Sequence, residues 1–177
     1  MGTVAFTSQV LVAAVLAWSA LSKLTRSGFR GSTAMFRQLG AGRLATPLTV
    51  ALCGVEAAVA VTMTVPASAP FGRPAAVGLL GVLTAGVAHI VLTRRDVRCA
   101  CFGAAATRIG ALQLTRNLAL LAAAVAGLAG ARPAVPPAHL VVAATTGIVL
   151  AVLIVRLEDL VFLVRPVPST SAPLEIP

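Results

Sequence analysis

The chain has 177 residues, of which 58% are hydrophobic and only 11% are Asp, Glu, Lys or Arg. Soluble domains carry about 25% charged residues, so this composition excludes an ordinary soluble protein and is typical of an integral membrane protein. The net charge of +9 does not indicate a nucleic-acid partner. The basic residues alternate with apolar stretches of bilayer length, which makes them signals of membrane topology.

Five stretches, at about residues 4–24, 47–65, 75–92, 112–131 and 138–155, are long and apolar enough to cross a lipid bilayer, since its core needs about 20 residues. The predicted fold class is therefore an all-α, polytopic membrane bundle of about five transmembrane helices, with four in a core and a fifth at the C-terminal end. Residues 1–165 are predicted to form one domain. The tail, 166–177, contains four prolines and is predicted to be disordered.

Local signals refine these spans. The first span lacks the basic segment of a signal peptide and is predicted to be a retained helix. The second opens with Thr46 and Pro47, a capping residue followed by a proline at the first helical position. Small residues spaced four apart, around Gly81 in the third span and Gly127 in the fourth, would permit close helix packing in lipid.

The basic residues predict an orientation. One side of the five-span arrangement carries twelve of the fourteen Lys and Arg residues, and the other carries Arg73 and Arg132. In short loops the basic side is usually cytoplasmic. The sequence therefore predicts a bacterial cell-membrane protein with its N-terminus outside and its C-terminus inside. The twelve are Lys23, Arg26, Arg30, Arg37, Arg43, Arg94, Arg95, Arg98, Arg108, Arg116, Arg156 and Arg165.

The same side gathers the candidate functional residues, which are Lys23, His89, Arg98, Cys99, Cys101, Arg116 and Asn117. Glu56 lies deeper, near the middle of the second span, with Cys53 three residues before it and so on nearly the same helix face. An ionisable group at that depth is costly and needs a cationic partner, which Lys23 or Arg116 would supply. The simpler alternatives are that these two cations extend outward to the interface, that Glu56 only ties helices together, and that Cys53 is a packing residue.

The Cys99-Ala100-Cys101 segment is the most specific chemical signal. A disulfide across one residue closes a very small, strained ring, and a strained disulfide is readily reduced. The neighbouring arginines favour the reactive thiolate. Metal binding is the competing hypothesis, because two thiolates and His89 suit Cu(I) or Zn(II). The sequence has no second Cys-x-Cys to complete a four-ligand site, so no metal site is predicted.

Four motifs occur in chain order: Ser22-Lys23-Leu24, Glu56, Cys99-Ala100-Cys101-Phe102-Gly103 and Arg116-Asn117. In this order the chain resembles the methylamine utilisation protein MauE family, which is related to DoxX-like membrane proteins. The resemblance implies a membrane protein that helps to mature an exported amine dehydrogenase rich in disulfides, alongside a thioredoxin-like partner. It also suggests an architecture similar to the vitamin K epoxide reductase type. This chain has Cys-x-Cys where that type has Cys-x-x-Cys. The resemblance therefore leaves open whether quinone is a cofactor.

Two hypotheses about the role of the chain remain at this point. In the first, Cys99 and Cys101 are a thiol–disulfide oxidoreductase pair and Cys53 is a relay thiol that passes reducing equivalents across the membrane. The arginines predict a cytoplasmic Cys pair, whereas the substrate is exported, so the chain would either relay reducing equivalents in this way or bind a cytoplasmic partner. In the second, the chain is a non-catalytic membrane subunit or small-solute carrier, with Glu56 and Lys23 lining a polar cavity.

Overall fold

The computed structural model of the chain describes residues 2–94, 97–99, 107–130 and 137–157. The helices in this part of the chain are α1 (Gly2–Leu24), α2 (Arg26–Gln38), α3 (Ala45–Thr64), α4 (Ala69–Leu92), α5 (Ala111–Ala129) and α6 (Pro137–Val155). A short 3-10 helix, Gly42–Leu44, leads into α3. Two-residue strands, β1 (Arg98–Cys99) and β2 (Thr107–Arg108), pair between α4 and α5. The predicted tail, 166–177, lies outside the described residues.

Helices α1, α3, α4 and α5 form a closed bundle in which each helix packs against two of the others. Helix α1 packs on α3 and α5, α4 packs on the same two helices, and α6 packs on the outer side of α1. Because α1 lies between α3, α5 and α6, it supplies much of the core, including Val12, Val15 and Leu16. The predicted all-α bundle, with four helices in a core and a C-terminal helix beside it, is confirmed.

The bundle has the dimensions and surface of a membrane protein. Helices α1, α3 with its preceding turn, α4 and α5 are each long and apolar enough to cross a bilayer. Residues 139–155 of α6, the fifth predicted span, form a shorter apolar helix. Large apolar side chains such as Phe71, Val82 and Val61 are exposed on the outer faces. Such exposed apolar side chains suit a lipid environment, because their contact with lipid tails has no hydrophobic cost.

Two predicted helix starts are wrong. Helix α3 begins at Ala45, after a cap at Leu44 that makes no side-chain hydrogen bond, so Thr46 is inside the helix and is not its cap. The 3-10 helix before it already has nearly helical backbone angles, which lets the α-helix start earlier. Pro47 is still within the first turn, where its missing N–H has no intrahelical partner in any case. Helix α4 begins at Ala69, six residues before the predicted start.

The small residues show how closely the helices approach. A side chain added at Gly127 would meet Ala5 and Ser8 of α1 at ordinary contact distance, from 3.6 Å, whereas one added at Gly81 would meet nothing within 4 Å. The prediction of close packing at Gly81 is therefore wrong, and Gly127 does lie against α1. On the α6 side of α1, Gly147 is also closely packed, since an added carbon would lie 2.9 Å from the Thr7 carbonyl oxygen.

Helix α2 is an element that the sequence analysis did not predict. It packs against α1 and α3 and also contacts β1. Thr25 caps it, since the Gly28 amide donates to Thr25 Oγ1 over 3.1 Å. Gly28 has no room for a side chain, because an added carbon would clash with the Ser22 carbonyl oxygen. A hydroxyl contact of 3.2 Å between Thr33 and Thr49 joins α2 to α3.

Candidate functional site: a buried ion pair below a cysteine hairpin

Lys23 and Glu56 form a buried ion pair between α1 and α3. The Lys23 Nζ atom lies 2.8 Å from Glu56 Oε2 and 3.1 Å from Glu56 Oε1. The two residues are 1% and 2% exposed. The sequence left two candidate cations for Glu56, and the structure pairs it with Lys23. The alternative in which Lys23 extends outward to the interface is wrong.

Ser19 completes the cluster, and the sequence analysis missed it. Lys23 Nζ donates to Ser19 Oγ over 2.7 Å and approaches the Ser19 carbonyl oxygen at 3.4 Å. Ser19 Oγ donates in turn to Glu56 Oε1 over 3.2 Å. The ammonium and the carboxylate are thus both hydrogen-bonded and electrically balanced, as buried charges must be. The signal was present in the sequence, because Ser19 and Lys23 are four residues apart and therefore neighbours on one helix face.

The position of each residue in its helix explains how the pair forms. Lys23 is next to last in α1, whereas Glu56 lies near the middle of α3. Long helical side chains point back toward the N-terminus of their own helix, so the Lys23 side chain runs from the helix end into the bundle. Because α1 and α3 are antiparallel neighbours, the ammonium reaches the level of Glu56. The pair is therefore more deeply buried than a lysine at a helix end would suggest.

Cys53 lies one turn before Glu56 on α3. Its thiol donates to the Ala20 carbonyl oxygen over 3.5 Å and is partly buried. This contact places the sulfur at the α1–α3 interface, about one helical turn from Glu56. It is consistent with a packing role, and it also leaves a free thiol beside the buried cluster.

Arg116 lies at about the same depth as the ion pair. Gly127 of α5 faces Ser8 of α1, and the two helices run in opposite directions. Arg116 precedes Gly127 by eleven residues, so the equal rise of both helices places it about level with Ser19. The Arg116 side chain is 6% exposed, and the neighbouring Asn117 is partly buried. Thus the start of α5 brings a second buried cation to this end of the bundle.

His89 does not join this cluster. Its side chain is exposed on α4, which disagrees with the predicted convergence because the last turn of α4 directs residue 89 away from the bundle. Among the described residues, no group of three or more His, Cys, Asp and Glu side chains could hold a metal ion. Cys101 lies outside that part of the chain, so the metal hypothesis involving it is untested.

Cys99, the first cysteine of the Cys-x-Cys segment, lies in β1 of a short two-stranded hairpin at the same end of the bundle. Strands β1 and β2 pair antiparallel, with Cys99 opposite Thr107, and the Ile109 amide donates to the Val97 carbonyl oxygen over 2.9 Å. Val97 is 3% exposed and anchors the base. Strand β1, which holds Arg98 and Cys99, contacts α2, and α2 packs on α1 and α3. Residues 100–106, including Cys101, lie outside the described part of the chain.

The backbone has an unusual conformation just after α4 ends. Arg94 has a φ of 50°, in the left-handed region that is unfavourable for a residue with a side chain. Its amide donates to the Val91 carbonyl oxygen over 3.2 Å. Glycine usually occupies such a position after a helix. Arg94 therefore holds an unfavourable backbone conformation just before the cysteine segment.

The fold and the buried cluster define a polytopic helical membrane protein with an ion pair inside its bundle and a cysteine-bearing hairpin at the same end. The family model of the methylamine utilisation protein MauE matches residues 1–130. The chain belongs to this family, which supports involvement in methylamine utilisation as a membrane protein. The matched residues include α1 to α5 and the whole candidate site, whereas α6 lies beyond them. No curated protein and no solved structure matches the chain.

Proposed function

We propose that the protein is a membrane thiol–disulfide exchange protein that assists the maturation of an exported, disulfide-containing enzyme such as an amine dehydrogenase. The observation that carries the proposal is the placement of β1, with Cys99, at the end of the bundle that holds the buried Lys23–Glu56 pair. Membership of the MauE family gives the biological setting. A thioredoxin-like protein is the proposed exchange partner.

The proposed chemistry is two successive thiol–disulfide exchanges. A thiolate of the substrate attacks one sulfur of the Cys99–Cys101 disulfide, and the other cysteine leaves as a thiolate. The second substrate thiolate then attacks the mixed disulfide, which leaves an oxidised substrate and a reduced Cys pair. The disulfide of the thioredoxin-like partner accepts the two electrons and restores the pair. Quinone is the alternative acceptor.

In this proposal the buried cluster positions the hairpin and does not react. The ion pair joins α1 to α3, α2 packs on both helices, and β1 contacts α2. A change at Glu56 would therefore alter the position of Cys99, because α2 packs on α1 and α3 and also contacts β1. The basic residues of the hairpin region, Arg94, Arg98 and Arg108, would favour the thiolate form that exchange requires.

Cys53 remains the candidate relay thiol. It lies eight residues into α3, about 12 Å from the start of that helix, whereas a disulfide needs Cα atoms within about 7 Å. A relay would therefore require the hairpin to move inward. Direct exchange at the hairpin needs no such movement, but it requires that the hairpin and the exported enzyme lie on the same side of the membrane.

The test is to trap the exchange in single cysteine variants of the full chain. Cys101→Ser should accumulate a mixed disulfide at Cys99, which a gel shift after acid quenching and thiol alkylation would detect. Cys53→Ser is the matched control and should cycle like the wild type if exchange is direct. A block in Cys53→Ser would instead establish the relay. If Cys99→Ser and Cys101→Ser both support maturation of the exported enzyme like the wild type, the protein is a non-catalytic subunit.

The same cysteines report the orientation. The arginine excess predicts that the hairpin end is cytoplasmic, which would make the exchange partner cytoplasmic and require a relay to the exported enzyme. Labelling of intact cells with a membrane-impermeant maleimide should then miss Cys99 and Cys101 until the cells are opened. Labelling in intact cells would place the pair outside, where it could oxidise the exported enzyme directly.

A further inference from the structure

The corner between α1 and α2 forms a pocket with mixed basic and apolar walls. The pocket has a volume of about 380 Å³ and is lined by Lys23, Leu24, Thr25, Arg26, Phe29 and Arg30. Lys23 is buried and paired with Glu56, so the free positive charge comes from Arg26 and Arg30, whose side chains are exposed. Leu24, at 73% exposed, and Phe29 supply the apolar wall.

The charges on α2 lack an anionic counterpart within the described part of the chain. Residues 24–44 contain four arginines and no Asp or Glu, and among the described residues Glu56, which is used by Lys23, is the sole carboxylate. Arg26 and Arg30 are four apart, a spacing at which like charges repel. They also lie in the first turns of a helix, where positive charge is unfavourable. An external anion would relieve both costs.

The location of the pocket identifies the kind of anion. It lies where α1, a helix of membrane-spanning length, ends, and therefore at the level of lipid headgroups. Arg26, Arg30 and Arg37 fall on one face of α2 within about 40° of each other, given 100° per residue. On the same count the buried residues Gly28 and Ser32 lie more than about 100° away from these arginines, whereas the buried Thr33 lies beside Arg26, at the edge between the two faces. A guanidinium pair beside Leu24 and Phe29 suits a ligand with a phosphate and an acyl chain.

We propose that the α1–α2 corner binds the headgroup of an anionic phospholipid, with Arg26 and Arg30 on the phosphate and with Leu24 and Phe29 against the first part of an acyl chain. Helix α2 is then an interfacial helix that is held to the bundle on one face and to anionic lipid on the adjacent face. Its contact with β1 means that lipid at this corner also steadies the base of the cysteine hairpin. The proposal does not depend on thiol exchange.

The test measures lipid retained by the purified full-length protein. Native mass spectrometry after titration with phosphatidylglycerol or phosphatidylcholine should show one tightly held phosphatidylglycerol. One basic residue near an anionic surface contributes enough attraction that Arg26→Gln or Arg30→Gln should weaken binding about fivefold, and the double variant roughly 25-fold. Arg43→Gln is the matched control, because Arg43 is also exposed and lies in the same connection but outside the pocket.

The outcomes separate the proposal from its competitors. Equal binding of both lipids by the wild type, or an equal loss in Arg43→Gln and Arg26→Gln, would show an unspecific surface and overturn the proposal. Displacement of the lipid by millimolar inorganic phosphate would identify a free-phosphate site instead. If the double Gln variant does not fold, Arg26→Lys with Arg30→Lys keeps the charge and should retain binding within a few fold. A loss as large as 25-fold in that folded Lys variant would overturn the charge argument.

Discussion

The buried ion pair supports the sharpest prediction. Glu56→Gln removes the carboxylate but keeps its shape, and it leaves the Lys23 ammonium, which is 1% exposed, without its charged partner. Removing one member of a buried pair typically costs about 3 to 5 kcal/mol, because the remaining charge stays desolvated. The contacts in the structure therefore predict a large loss of stability for this variant.

The loss should be visible as a change in the midpoint of thermal unfolding in detergent. For a chain of this size, 1 kcal/mol corresponds to about 2 to 4 °C, so Glu56→Gln should lower the midpoint by roughly 6 to 20 °C. Lys23→Met should cost a similar amount, because it leaves the carboxylate buried and unpaired. Ser19→Ala, which removes two hydrogen bonds of the pair, should cost less, about 1 to 3 kcal/mol.

The double variant Lys23→Met/Glu56→Gln decides whether the charges are coupled. It leaves no unpaired buried charge, so it should be more stable than either single variant. The matched control is Thr84→Val, since Thr84 is buried and its hydroxyl donates only within its own helix, to the Leu80 carbonyl oxygen. That change should cost well under 1 kcal/mol. A double variant whose loss equals the sum of the two single losses would refute the pairing.

Three further changes test the topology and the local geometry. A reporter fused after Pro177 should read as cytoplasmic, because the basic residues concentrate at that end of the bundle, and an external signal would reverse the orientation. Gly28→Ala should lower stability by about 1 to 3 kcal/mol in thermal unfolding, since the new carbon would clash with the Ser22 carbonyl oxygen; Gly81→Ala, which meets nothing, is its control and should be neutral or slightly stabilising. Arg94→Gly should raise stability by about 0.5 to 1 kcal/mol, because glycine adopts the left-handed backbone without strain. A loss of stability would show that a contact of the Arg94 side chain stabilises the fold by more than this strain costs.

The positions and order of the long apolar helices were readable from the sequence alone. Apolar length is a property of consecutive residues, so hydropathy located every long helix to within a few residues, apart from the early start of α4 at Ala69. The order of Lys23, Glu56, Cys99 and Arg116 along those helices also placed most of the candidate site at one end. Such placement follows from the alternation of helix direction in a bundle and needs no knowledge of packing.

Only the tertiary structure determined which side of each helix faces the interior of the bundle. In lipid, the outer and inner faces of a helix are both apolar, so periodicity did not distinguish Gly81, which faces open space, from Gly127, which faces α1. For the same reason the sequence did not show that His89 faces outward. The choice of Lys23 as the partner of Glu56 depended on the antiparallel register of α1 and α3 and on the Ser19 hydroxyl between them. Those contacts join residues more than thirty positions apart, and their geometry is fixed only when the helices pack.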